Sequence, residues 1–281
     1  MPHINKLSAS QGAQWLLDGF TLLRKAPLAL GVLGLIWGGL SAIASLTGQV
    51  WMSLVLAVFG PLLFGGVIYA AREVDQGRSA QPGHLLQGLR EGKMARFLVM
   101  LLPQLAALLV LALLLVAMIG SEQLQQMAEV MQKIQDSAGN PDPALLEALP
   151  VGSLFAWLVA VLVVSMVAGF FTLIAIPDVM FTDRSGFAAM GLSFRACLHN
   201  IGAVLVFMVL LVITFFALSI AANILVAVLG IALGLPIAML IGQTLLMSVL
   251  LPLMGATIYS AWRRMLDGTA PPPMPSAGIE V

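Results

Sequence analysis

Histidine and cysteine most often bind metals or act as nucleophiles, and this chain holds few of them. Its histidines are His3, His84 and His199, and Cys197 is its single cysteine. A structural zinc site needs about four such ligands close together, and one cysteine cannot form an intramolecular disulfide. No H-E-x-x-H, P-loop or G-x-S-x-G motif occurs. We therefore predict no catalytic residue, no metal site and no cofactor, and hence a non-enzymatic protein.

A second set of candidates consists of basic residues that flank long apolar runs. At the level of lipid headgroups, a Lys or Arg attracts the anionic lipids of the cytoplasmic leaflet by about 1 kcal/mol. The candidate headgroup-binding residues are Arg24, Lys25, Arg90, Lys93, Arg96, Arg263 and Arg264. The alternative is that these charges serve only to set the orientation of the chain in the membrane.

Polar residues inside the apolar runs form a third set, with Gln104, Asn223 and Gln243 as its main members. They would line a substrate path, with Asn223 and Gln243 on facing walls of the last helical hairpin, or they would form hydrogen bonds between packed helices. No Asp, Glu, Lys or Arg occurs in the middle of an apolar run. Since ionisable groups at that depth mark proton relays and ion-coupled transport, the sequence argues against an ion-driven pump.

The elements that position these residues are membrane helices. Hydrophobic residues make up 60% of the 281 residues and charged residues 9%, against about 25% charged in soluble domains. One crossing of a bilayer takes about 20 apolar residues. We predict an all-α, polytopic membrane protein with six transmembrane helices, in a single transmembrane domain over residues 1–266. The predicted spans are 28–46, 51–71, 97–119, 154–176, 201–228 and 236–261.

Amphipathic segments precede the odd-numbered spans and predict interfacial helices in 11–25, 72–96 and 178–200. Residues 120–152 form the one long polar insertion between spans, and the apolar positions in its first half predict a surface helix over 121–136. A second, short helix is expected to begin at Pro143. Pro177 is expected to end the fourth span, and the Pro-rich residues 267–281 predict a disordered tail.

The distribution of basic residues predicts the orientation. Of the 13 Lys and Arg residues, Lys133 alone lies in the 120–152 insertion. Six spans place all the others on one side, which the positive-inside rule assigns to the cytoplasm. We therefore expect a protein of the bacterial inner (cytoplasmic) membrane with both termini and the 267–281 tail in the cytoplasm and the insertion in the periplasm.

Three parts of the chain share a pattern. A glycine followed by a large apolar residue precedes each odd-numbered span, at Gly19, Gly88 and Gly191, and the only two tyrosines, Tyr69 and Tyr259, occupy corresponding positions near the ends of the second and sixth spans. We predict a three-fold internal repeat of one amphipathic helix and two spans, whose copies close around a shared core. The alternative is that membrane helices commonly begin and end with Gly, aromatic and basic residues.

Residues 15–27, 60–62, 71–77 and 259–268 together resemble a family of proteobacterial six-span inner-membrane proteins of unknown function. The architecture is similar to that of the membrane domains fused to some glycerophosphodiester phosphodiesterases, from which we expect this chain to differ by lacking a catalytic domain. The resemblance implies an inner-membrane location and a six-span fold, and it adds no site residues.

These observations lead to a functional hypothesis. We expect an integral inner-membrane protein that binds or passes a lipid or another amphiphile, or assists an assembly in the membrane. The alternative is a small-solute transporter or channel. The expected partners are membrane lipids and a protein partner or a second copy of the chain. Because the formal net charge is zero, no nucleic acid is expected as a partner.

Overall fold

The computed structural model describes residues 3–136 and 150–266. Its regular elements are all helical, and no strand occurs within these two ranges. The α-helices are α1 Gln11–Lys25, α2 Pro27–Leu46, α3 Val50–Asp75, α4 Gln87–Arg90, α5 Met94–Leu98, α6 Leu102–Ile119, α7 Ser121–Asp136, α8 Val151–Thr172, α9 Ala175–Phe181, α10 Gly186–His199, α11 Ile201–Leu233 and α12 Leu235–Leu266. A 3₁₀ turn over Pro82–Leu86 precedes α4, and another over Val99–Leu101 separates α5 from α6.

Six helical stretches are long and apolar enough to cross a membrane, which confirms the predicted all-α, polytopic fold class. They are Pro27–Ser45, Val50–Asp75, Met94–Ile119, Val151–Phe181, Ile201–Leu233 and Leu235–Leu266. Four of them continue past their predicted ends, to Asp75, Phe181, Leu233 and Leu266. Two of these extensions carry charged residues that form ion pairs with other helices, Asp75 at the end of α3 and Arg264 near the end of α12.

Pro177 does not end the fourth span, and that prediction is wrong. The chain breaks before Pro177, between α8 and α9, so that the proline lies in the first turn of α9, where its missing N–H costs least. The hydroxyl of Ser193 in α10 bridges the break. It donates a hydrogen bond to the carbonyl of Phe170 at 2.6 Å and accepts one from the amide of Ile174 at 3.0 Å. Ser193 thereby replaces one bond of the interrupted helix.

Two of the three predicted interfacial helices form. Helix α1 covers the whole range predicted for it, and α10 lies within the predicted range 178–200. The middle segment, 72–96, contains a 3₁₀ turn and the short helix α4 instead of one amphipathic helix. The chain reverses after α4 at Gly92, whose φ of +66° is a conformation that favours glycine. Tight turns therefore replace helix in this segment.

The described residues divide into two compact units. One consists of the chain up to Leu101 together with the chain from Phe170 onward, and the other is Leu102–Gly169. In the second unit, α7 occupies the range of the predicted surface helix, and Trp157 of α8 donates a hydrogen bond to the carbonyl of Leu111 in α6 at 3.3 Å. Residues 137–149, which include the helix expected at Pro143, and the 267–281 tail lie outside the described residues.

Glycines allow the closest helix contacts of the first unit. A Cβ atom at Gly34 of α2 would lie 2.3 Å from the carbonyl oxygen of Met247 in α12, and one at Gly38 would lie 2.6 Å from the Met247 Cβ. This small-xxx-small spacing lets two membrane helices pack backbone to backbone. On α1, a Cβ at Gly12 would lie 2.1 Å from the carbonyl oxygen of Ala203 in α11. α1 is therefore anchored in the unit along one face.

A group of buried side chains joins α3, α5, α9 and α10. Phe97 of α5, only 1% exposed, fills its centre. A Cβ atom added at Gly65 or Gly88 would lie 2.7 or 2.8 Å from the Phe97 ring. Gly88, one of the three glycines of the predicted repeat, thus has a packing role of its own.

The interfacial segments have the following main packing partners: α11 and α12 for α1, α3 for the 3₁₀ turn and α4, and α9 for α10. Gly19 fits against Thr257 of α12, whereas a Cβ at Gly191 would meet nothing within 4 Å. The three segments thus differ in their packing partners and in the contacts of their glycines. The three-fold repeat stays a prediction.

Candidate functional site

The ends of α3, α9 and α12 bring a cluster of charged side chains together in the first unit. These helices carry acidic and basic residues in or directly after their last turns, because their apolar runs end there. Four guanidinium groups face three carboxylates in this cluster. We call it the helix-end layer, and it consists of Arg72, Glu73, Asp75, Arg78, Asp178, Arg184 and Arg263.

Asp75 joins α3 to α12. Its Oδ2 accepts hydrogen bonds from Arg263 Nη1 and from the Tyr259 hydroxyl, the latter at 3.0 Å. About four-fifths of each side chain of the ion pair is buried. Because a buried charge must be paired to remain ionised without a large desolvation cost, the Asp75–Arg263 pair depends on both helices being in place.

Asp178 and Glu73 are the other two carboxylates of the layer, and each accepts hydrogen bonds from an arginine. Asp178, with a side chain only 3% exposed, accepts from Arg184 Nε at 2.6 Å and from Trp262 Nε1 at 3.5 Å. Glu73 accepts two hydrogen bonds from Arg78, at 2.5 and 2.6 Å. Each acid of the layer is thus held by its own arginine.

Arg72 is the one guanidinium of the layer without a hydrogen bond to any described residue. Its guanidinium carbon lies 4.9 Å from the centre of the Tyr69 ring and 4.3 Å from that of Phe181. Its Nε is buried without a partner, and the single carboxylate within reach, Glu73, is 4.0 Å from Nη2. Sequence reasoning missed this residue. The available signal was an arginine one helical turn after a tyrosine at the polar end of a span.

The structure places the seven predicted headgroup-binding cations in two groups. Four of them have carboxylate partners within 4.0 Å: Arg263 with Asp75, Arg264 with Asp18, Lys93 with Glu91 and Arg96 with Asp183. The other three, Arg24, Lys25 and Arg90, are exposed and have no carboxylate within that distance among the described residues.

Arg195 of α10 belongs with these three, and the sequence did not single it out. It is exposed, and its Nε donates only to the carbonyl of Gly191 in its own helix, at 3.1 Å. Each interfacial segment therefore displays at least one basic side chain without an acidic partner. The predicted repeat was the signal that could have identified it, since α10 occupies the same place in the third copy as α1 in the first.

Large exposed apolar side chains accompany these cations. The chain around α1 exposes Leu17 and Leu28, the segment with α4 exposes Leu86 and Leu89, and α10 exposes Phe187 and Leu198. Leu28 is 84% exposed and Phe187 65%. Side chains of this size, exposed next to unpaired cations, are the composition of segments that lie in a membrane interface.

Asn223 and Gln243, predicted to face each other, form no hydrogen bond with each other. Asn223 of α11 is exposed and donates to the carbonyl of Ser219 in its own helix at 2.8 Å, and Gln243 of α12 is also exposed. The close contact between α11 and α12 instead involves Gly242 and Val226, where a Cβ on the glycine would lie 2.2 Å from a valine methyl carbon. Gln104 lies in α6 of the other unit.

The histidine and cysteine side chains have local roles. His84 accepts a hydrogen bond from the amide of Gln81 at 3.2 Å, and burial lowers the pKa of its imidazole. Burial raises the pKa of the Cys197 thiol to about 12, so that it stays protonated and unreactive near neutral pH. Within the two described ranges, no three His, Cys, Asp or Glu side chains come together in a group that could hold a metal ion.

Comparisons of the chain with protein-family models, with curated proteins and with solved structures find no match. The function is therefore inferred from the residues and contacts described above. The resemblance to a proteobacterial membrane family stays a prediction.

Proposed function

We propose that this integral membrane protein binds the headgroups of anionic phospholipids through three surface segments, namely α1, the 3₁₀ turn with α4, and α10. A binding role, without catalysis, is the one that these side chains support best. From the distribution of Lys and Arg we further propose the bacterial inner membrane, with the three segments at its cytoplasmic face.

One observation carries this proposal: each surface segment combines exposed apolar side chains with a basic side chain that has no acidic partner in the described part of the chain. The basic residues are Arg24, Lys25, Arg90 and Arg195. A cation already paired inside the protein has little to gain from a lipid, whereas an unpaired one gains about 1 kcal/mol at an anionic surface. The adjacent leucines and Phe187 add apolar contact with the acyl-chain boundary.

The proposal is tested by counting retained lipids. The wild-type chain and a variant with Arg24→Gln, Lys25→Gln, Arg90→Gln and Arg195→Gln are incorporated into nanodiscs of phosphatidylcholine and phosphatidylglycerol, extracted in mild detergent and measured by native mass spectrometry. We expect the wild type to retain phosphatidylglycerol preferentially and the variant to lose most of that preference. All four side chains are exposed, so the variant should fold, which circular dichroism checks.

Lys133→Gln is the matched control, because Lys133 is an exposed cation on α7, outside the surface segments. It should leave lipid retention unchanged. If the four-residue variant retained phosphatidylglycerol as the wild type does, these segments would not be the binding surface.

A further inference from the structure

We propose that Arg72 forms a second, internal site that binds a phosphate group, supplied either as inorganic phosphate or as the phosphate of a lipid headgroup. The site is separate from the three surface segments, so it does not depend on the function proposed above. The observations that carry it are a charge imbalance and a pair of aromatic rings that contact the guanidinium.

The charge imbalance follows from the pairing within the helix-end layer. Its four guanidinium groups face three carboxylates, and each carboxylate is occupied by another arginine. Glu73 is bound by Arg78, which also donates to Gln76, and it lies 4.0 Å from Arg72. Arg72 is thus the guanidinium of the layer with the weakest counter-charge, since it shares Glu73 with Arg78. Three-quarters of the Arg72 side chain is buried, so water hydrates its charge only in part. An anion bound beside the guanidinium would compensate for the lost hydration.

The two rings fix the orientation of the guanidinium without using its hydrogen bonds. Tyr69 contacts it from the preceding turn of α3, and Phe181 contacts it from the end of α9. A cation–π contact with the face of an aromatic ring uses none of the hydrogen bonds of the guanidinium. A fixed arginine presents a planar fork that matches two oxygens of a phosphate. The site therefore requires α3 and α9 together.

A second guanidinium adjoins the same group of aromatic rings. The ring centres of Phe181 and Tyr259 lie 5.9 Å apart. The guanidinium carbon of Arg263 lies 5.5 Å from the centre of the Tyr259 ring. The Nε of Arg263, like that of Arg72, is buried without a hydrogen-bond partner among the described residues. Because both Nε atoms are buried, a phosphate would bind through the terminal Nη groups of Arg72.

The position of Arg72 along α3 favours phosphate over other anions. Arg72 lies one turn before the end of a helix of membrane-spanning length, Val50–Asp75. The last turn of a helix that spans a membrane lies at the depth of the lipid phosphates. A soluble phosphate in the adjoining aqueous phase would reach the same turn, so experiment must distinguish the two sources.

The test uses the full chain, delipidated in a non-ionic detergent. Tryptophan emission is titrated with inorganic phosphate, with dihexanoyl phosphatidic acid and with dihexanoyl phosphatidylcholine, because Trp262 lies 5.0 Å from the Phe181 ring and reports on the site. We expect saturable binding of at least one of the first two probes. Binding of inorganic phosphate identifies a site for the free anion, and binding of phosphatidic acid alone identifies a site for the headgroup.

Arg72→Gln should weaken this binding at least about tenfold, because it removes the charge and the fork. Arg72→Lys keeps the charge and the fold but not the planar fork, and it should give an intermediate affinity. Arg24→Gln, which changes a cation of the surface segments, should bind as the wild type does. Thermal unfolding without the probes verifies that each variant is folded.

Three outcomes would overturn the proposal. They are no saturable binding of either phosphate compound by the wild type, binding of phosphatidylcholine as tight as that of the phosphate compounds, and unchanged affinity in Arg72→Gln or, where that variant does not fold, in Arg72→Lys. Should Arg72→Gln fail to fold, the comparison of Arg72→Lys with the wild type decides the matter. None of these outcomes bears on the surface segments, whose cations are different residues.

Discussion

Arg264 in the last turn of α12 donates two hydrogen bonds to Oδ2 of Asp18 in α1, at 3.1 and 2.8 Å. Its third nitrogen donates to Gln11, also in α1, at 3.0 Å. These contacts tie the first helix to the last one. The sequence assigned Arg264 to lipid headgroups, whereas its guanidinium is engaged within the protein.

Asp18→Ala should therefore destabilise the protein. Three-quarters or more of each side chain of this pair is buried, and removing the acid leaves Arg264 without its counter-charge. We expect a loss of about 1–3 kcal/mol, measured as a lower midpoint of thermal unfolding in detergent. The control is Asp183→Ala, because Asp183 is 97% exposed and lies 3.4 Å from Arg96. An equal loss in both variants would contradict this account.

Ser193→Ala tests the hydrogen bonds by which the Ser193 hydroxyl links α8 to α9. The substitution leaves the carbonyl of Phe170 and the amide of Ile174 without the hydroxyl that links them. Because Ser193 is fully buried, no bulk water replaces it, and we expect destabilisation of about 1–3 kcal/mol. Ser53→Ala, at an exposed position of α3, should have no comparable effect on the unfolding midpoint.

The contact between α2 and α12 makes a prediction about glycine spacing. Gly34→Ala places a Cβ 2.3 Å from the Met247 carbonyl oxygen and should cost about 1–3 kcal/mol through forced separation of the helices. Gly39→Ala lies in the same helix and meets nothing within 4 Å. It should be neutral or stabilise by up to about 1 kcal/mol, since alanine has the higher helix propensity. If both variants unfolded alike, α2 would not pack closely against α12 at Gly34.

The reactivity of Cys197 tests the packing of α10. Its thiol is buried, and burial raises its pKa to about 12, so maleimide should label it very slowly at pH 7 while the protein is folded. Denaturation should restore rapid labelling. In a Cys197→Ala background, Leu198→Cys should react quickly, because Leu198 is 50% exposed. Fast labelling of native Cys197 would show that α10 does not pack as described.

Hydropathy and periodicity predicted the features that depend on the chain's own composition. The six spans and helix α7 are of this kind, because a long uncharged run or a regular apolar stripe is visible in the sequence itself. The break before Pro177 was not predictable in this way, since it depends on Ser193, which reaches the break from another helix.

The candidate site was predicted less well, for a related reason. The sequence shows where the cations are, but not which of them find a carboxylate on a distant helix. Arg263 and Arg264 were assigned to lipid and lie in ion pairs. Arg72 and Arg195 were passed over, although Arg72 only shares Glu73 with Arg78 and Arg195 has no acidic partner among the described residues. Pairing between helices decides which charges remain available, and only the folded arrangement contains that information.

The central claim is that the three surface segments lie together at the cytoplasmic face of the membrane, where they meet anionic lipid. Single-cysteine variants Lys25→Cys, Arg90→Cys and Arg195→Cys, each in a Cys197→Ala background, test it by labelling with a membrane-impermeant maleimide. We predict that all three are protected in intact spheroplasts and labelled in inverted membrane vesicles. Labelling of any one of them from the periplasmic side of spheroplasts would contradict the claim.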